Sequence, residues 1–114
     1  LEAETDEATY ASPNRVKNSP GVAKAYCIIT AAGALQAGSY NVTSITDTGT
    51  GDRTIVWDTD FSNTNYAPVG SAVSDNGTHF QFNTFAVGSL HLVVRDSTLT
   101  LADQETSQVA FGDQ

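Results

Sequence analysis

The chain has one cysteine, no methionine, three prolines and only five basic residues among 114. A lone Cys27 excludes an intrachain disulfide and a thiolate metal cluster. It sits within Ala25-Tyr26-Cys27-Ile28-Ile29, where it reads as a small buried hydrophobe. Five Lys and Arg stand against 13 Asp and Glu, a formal charge of −8. That charge repels DNA, RNA and anionic lipid, so neither nucleic-acid binding nor membrane insertion is expected. Glu2, Glu4, Asp6, Glu7 and Asp113 fall near the two ends, where they act as solvating groups. No apolar run approaches the ~18 residues that a membrane span needs, and no signal-peptide pattern is present. Leu1 is not a natural start, so the sequence reads as a piece of a longer chain. Charged residues make up 16% and apolar ones 39%, so Thr, Ser, Asn and Gln must cover much of the surface. A domain this small buries roughly 65% of its unfolded surface, and its thin apolar inventory makes subunit association an expected supplement.

What the chain does contain is turn-punctuated β sequence. Within Tyr40–Tyr66, the β-branched stretch Asn41–Thr46 suits a pleated surface. Thr48-Gly49-Thr50-Gly51-Asp52 then supplies two glycines able to take positive φ at a hairpin turn. Arg53–Asp58 alternates, with Ile55 and Trp57 on one face. Upstream, Val22–Thr30 is near-continuously apolar and predicts a covered central strand. A brief strand is expected around Leu35, and the hairpin strands over about 40–47 and 52–58. Tyr66–Val73 contains Pro68, which places it at an edge or a bulge. Asp75-Asn76-Gly77 is a turn leading into Thr78–Ala86, where Phe80 and Phe82 oppose His79, Gln81 and Asn83. Ser89–Asp96 points Leu90, Leu92 and Val94 inward. Leu99 and Leu101 suggest a further short strand, and Gln108–Gly112 a last one with Val109 and Phe111 inward. The expectation is all-β: a compact antiparallel β-sandwich, jelly-roll-like, of roughly seven to nine short strands. Residues 1–20 read as a polar entry linker, broken by Pro13, Asn14, Asn18 and Pro20, with Leu1–Thr9 able to make a turn or two of helix beside a partner. Residues 21–114 read as the sandwich domain.

Several blocks resemble one family. Pro20-Gly21-Val22-Ala23-Lys24-Ala25-Tyr26 is similar to the P-x-A-A-K-A-W entry of a domain at the C-termini of phage tail-fibre and other virion proteins. Ser39–Asp52 (SYNVTSITDTGTGD) resembles that family's central hairpin, Phe61–Ala67 its next block, and Val109–Asp113 its last strand. Glu4–Pro13 looks like the linker that precedes tail-fibre tips. The likeness covers nearly the whole chain, and the hairpin is its most specific part. Tyr26-Cys27-Ile28-Ile29 departs from it, since a tryptophan and a more polar strand are expected there. The resemblance implies a homotrimeric fibre tip on a bacteriophage virion that binds a host cell-surface glycan or protein. It carries over no functional residues. A purely structural virion domain, such as a fibre cap or capsid decoration, would show the same sequence features.

No catalytic set emerges by spacing, and no enzyme activity, metal or other cofactor is expected. Asp47, Asp52, Asp58 and Asp60 cluster around two turns. Paired carboxylates can cleave glycosides, but aspartate is also a favoured turn residue, and the turn reading is preferred. Asp58 and Asp60 fall short of the six to eight oxygens that calcium takes. His79 and His91 lie on polar strand faces; a threefold axis would make each a ring able to hold a metal, though exposed strand histidines are the simpler reading. The sequons Asn41-Val42-Thr43 and Asn76-Gly77-Thr78 are read as chance matches in a phage protein. For receptor binding the candidates are polar turns with an aromatic. Tyr66 beside Asn63 and Asn65 would stack on a sugar while the amides bond hydroxyls, and Asp75, Asn76 and Thr78 would join the same tip. Tyr66 is equally a core tyrosine with its hydroxyl at the surface.

Overall fold

The computed structural model describes residues 12–17, 19, 21–73 and 78–114. Among the described residues, seven strands in two antiparallel sheets form a β-sandwich, as the sequence predicts. In chain order they are β1 (Ala25–Ile29), β2 (Val42–Gly49), β3 (Asp52–Trp57), β4 (Ala67–Ala72), β5 (His79–Phe85), β6 (Ser89–Arg95) and β7 (Thr106–Phe111). One sheet runs β1-β7-β4 and the other β2-β3-β6-β5. The first will be called the three-stranded sheet and the second the four-stranded sheet.

The core follows the period-2 alternation of the strands. Ile29, Ile55, Leu90, Leu92 and Val94 are fully buried between the sheets, each contributing about 1.5–3 kcal/mol by leaving water. Trp57, Phe61, Tyr66 and Phe85 form an aromatic cluster at one end. Phe61 stacks on Tyr66 at 4.2 Å, and Trp57 meets both edge-on. A bulge between Phe82 and Thr84 shifts the phase of β5 so that Phe85 also packs against the core.

Four local expectations change. Pro13–Lys17 is a helical turn, α1, rather than an irregular stretch. Pro13 opens it with φ already fixed, and Ser12 caps it by accepting from the Arg15 N–H at 3.3 Å. The possible helix of residues 1–9 lies outside the described residues. β1 is not covered on both faces: Ala25, Cys27 and Ile29 point inward, while Tyr26 and Ile28 are exposed. Leu99 is no strand residue, because it takes φ 66° in a turn organised by Asp96, and Leu101 makes only an isolated bridge to Arg95. β7 has the opposite phase to the one expected. Thr106, Gln108 and Ala110 face inward, and Val109 and Phe111 face out. Trp57 and Ala110 are both buried and line the same small intersheet gap. The Gln108 amide there donates to the Cys27 carbonyl at 3.0 Å and reaches Sγ at 3.1 Å. Burial pushes the Cys27 thiol above its ordinary pKa, a shift that this hydrogen bond opposes.

Pro68 lies in β4 at the edge of the three-stranded sheet, where its missing N–H interrupts no ladder. The opposite edge, β1, is capped by the returning chain, through bridges from Ile29 to Leu35 and from Tyr26 to Tyr40.

Candidate functional site

The structure divides the sequence-predicted receptor residues between the two ends of the sandwich. Asn63 and Asn65 are exposed on the turn that precedes β4, where the Asn63 side-chain oxygen accepts from the Asn65 N–H at 2.8 Å. Thr78 lies beyond the far end of β4, a six-residue strand spanning about 20 Å. Its hydroxyl oxygen is buried, so it is not offered at the surface. Asp75 and Asn76 lie outside the described residues. Tyr66 is 4% exposed. Phe61, Trp57 and Phe85 surround its ring, and its hydroxyl lies 2.9 Å from both the Ala86 and Ser89 carbonyls. Burial raises its pKa, and no ring face remains open for a sugar. Core packing claims this tyrosine, and its hydroxyl finds its acceptors in the two carbonyls of the β5–β6 turn.

The four aspartates are also separated. Asp47 and Asp52 flank the β2–β3 turn, while Asp58 and Asp60 follow β3 at its other end. Asp47 accepts from the Gly49 N–H, and Asp58 lies 3.4 Å from the Thr43 hydroxyl. The first is a local contact of the kind aspartate favours, and the second ties the residue after β3 back to β2. Asp52 pairs with the His91 ring across the outer face of the four-stranded sheet, and the hydrogen bond from His91 holds its carboxyl below the ordinary range. Among the described residues no three His, Cys, Asp or Glu side chains converge as metal ligands would.

Arg53 was not singled out from the sequence. It shares the inward face of β3 with Ile55 and Trp57 and is 0% exposed. Its guanidinium donates to the Gln104 carbonyl at 2.8 Å, the Ala31 carbonyl at 2.6 Å and the Asp103 carboxylate at 3.2 Å. Asp103 also accepts from the Gly51 N–H at 2.8 Å. One buried cation thus ties the β1 exit loop, the β2–β3 turn and the β7 entry together. A period-2 reading puts Arg53 inward, but its partners lie 22 to 51 residues away in sequence.

The most developed surface feature is the outer face of the three-stranded sheet. The register sets Tyr26, Val109 and Val69 in one row across three strands, and Ile28, Ser107 and Ser71 in the next. Tyr26 and Tyr40 stack at 5.7 Å, each about half exposed, and Val69 is 59% exposed. The loop residues 37–39 and this sheet enclose an open groove of about 460 Å³. None of its lining residues is charged, in a chain of net charge −8.

Comparison with protein-family models, curated proteins and solved structures finds no match to this chain.

Proposed function

We propose that the chain is a binding domain of a virion: the tip of a bacteriophage tail fibre or similar appendage, assembled as a homotrimer through the outer face of the three-stranded sheet. The observation that carries this reading is the uncharged patch of Tyr26, Ile28, Val69 and Val109 on that face. Copies with a net charge of −8 repel one another, yet this face brings no like charges together when it is buried. The tail-fibre resemblance of the entry segment, hairpin and last strand supports the same assignment, and the β-sandwich fold is compatible with it. In this reading the domain binds and does not react. Three copies present the exposed turn at Asn63 and Asn65 to a host cell-surface glycan or protein, and multivalency multiplies a weak single-site affinity.

The test is adsorption of the purified domain to susceptible bacteria. Adsorption that falls when Asn63 and Asn65 are both changed to Ala supports receptor binding. The burial of Tyr66 and the separation of Thr78 from Asn63 favour a second reading, a purely structural cap or trimerisation domain. Full assembly with no adsorption by the wild type would select it.

A further inference from the structure

A polar cleft of about 430 Å³ opens beside Tyr40, at the Asn63 end of the sandwich, between α1 and the 58–59 turn. Its volume lies within the range of small-molecule sites. Lys17 and Lys24, two of the chain's five basic residues, both line it. Lys24 is only 4% exposed. Its Nζ donates to the Ser19 carbonyl at 2.7 Å and the Val22 carbonyl at 3.1 Å. An ammonium has three protons, so one is left over. Among the described residues neither lysine forms an ion pair. Asp58 lines the same cleft but pairs with neither lysine, so among the described residues Lys24 is a buried cation with no counter-charge in contact, a deficit that an anion entering from the cleft would remove.

The rest of the wall suits a sugar. Tyr40 offers a half-exposed ring, while Asp58 and the Gln114 amide add acceptors for hydroxyls. Asn41 and Thr59 brace the floor by exchanging two hydrogen bonds, and Gln114 donates to the Thr59 carbonyl. We infer that this cleft binds an acidic saccharide: the carboxylate of a hexuronic acid meets Lys17 and Lys24, and the pyranose ring lies on Tyr40. The inference deepens the receptor-binding reading and rests on it for the cellular source of the ligand.

The test is an NMR titration of the whole chain with a galacturonic acid disaccharide, its neutral galactose counterpart and acetate. The expected result is saturable shifts at residues 17, 24, 39–41, 58–59 and 114 with the acidic disaccharide. Affinity should be at least about tenfold weaker for the neutral sugar and in Lys17→Glu, since each removes one side of a charge pair. Lys17 is exposed on α1, so this variant leaves the core intact. Absent shifts, equal binding of the neutral sugar, or undiminished binding by Lys17→Glu overturns the site. Acetate binding as tightly as the disaccharide overturns the saccharide assignment. Light scattering on the same sample separates the two proposals: a trimer that ignores the saccharide refutes the cleft alone, and a monomer that binds it refutes the assembly alone.

Discussion

Replacing Arg53 with Met tests how the sandwich closes at its β2–β3 end. Methionine keeps most of the stem's volume and removes the guanidinium. The lost interactions are the donations to Gln104, Ala31 and Asp103. Hydrogen bonds from a charged group to the two carbonyls contribute about 1.5–3 kcal/mol each and the half-exposed pair about 0–1 kcal/mol, so the gross loss is roughly 3–7 kcal/mol. Removing the ion relieves part of its desolvation, including that of the buried Nε, which has no partner, an offset on the order of several kcal/mol. The net destabilisation is then about 2–3 kcal/mol, or a fall in Tm of roughly 10 °C or more for a domain of this size. The ion pair itself is the smaller part, because Asp103 is 48% exposed and such pairs contribute about 0–1 kcal/mol. Asp103→Asn should therefore cost about 1 kcal/mol or less. Urea unfolding at fixed protein concentration measures both. A loss below about 1 kcal/mol for Arg53→Met, or one no larger than that of Asp103→Asn, would refute the reasoning.

Further outcomes follow from other contacts. Gly51→Ala should destabilise by more than about 1 kcal/mol, because Gly51 has φ 65° and an added Cβ would lie 2.8 Å from the Ala102 nitrogen. Gly49→Ala meets nothing within 4 Å and should be nearly silent in the same urea assay. Asp52 has a lowered pKa in the folded chain, so its pairing with His91 stabilises above the ordinary aspartate value near about 3.9 and is lost as pH falls through the folded value. The stability advantage of wild type over Asp52→Asn should be small, since both side chains are a quarter or more exposed. It should vanish in acid, and an advantage that grows there would be the wrong sign. Tyr66→Phe removes a hydroxyl that donates to the Ala86 or Ser89 carbonyl; both carbonyls keep a backbone donor across the β5–β6 turn, so the cost in thermal unfolding should be about 0.5–1.5 kcal/mol. Added salt should strengthen self-association by screening like charge and weaken binding of the acidic disaccharide. Sedimentation and titration at two salt concentrations check the pair.

The fold was legible wherever alternation and turn chemistry agreed. Ile55 and Trp57, Leu90 through Val94, and Pro68 at an edge could all be read from neighbouring residues. Errors arose where a distant partner decided the outcome. The inward phase of β7 sets the Gln108 amide on Cys27, 81 residues away in the chain. At Leu99 the deciding contact is local instead: the Asp96 side chain accepts from the Thr98 and Thr100 N–H groups and replaces the expected strand with a turn. Of the two glycines in the β2–β3 turn, only Gly51 takes positive φ, because it must pass under Val94 and Ala102. For the candidate sites, sequence proximity joined Asn63 to Tyr66 correctly in space but not in exposure. It joined neither to Thr78, since a whole strand intervenes. The Arg53 clamp and the cleft at Lys24 bring together residues far apart in the chain, which no local pattern announces.

The most direct test of the account is the solution mass of the wild type beside Tyr26→Glu/Val69→Asp, measured by light scattering at micromolar concentration. The account predicts three copies for the wild type and a folded single chain for the double variant, which places charge at both ends of the outer row. A wild type that stays a single folded chain, or a double variant that still forms trimers, would contradict it.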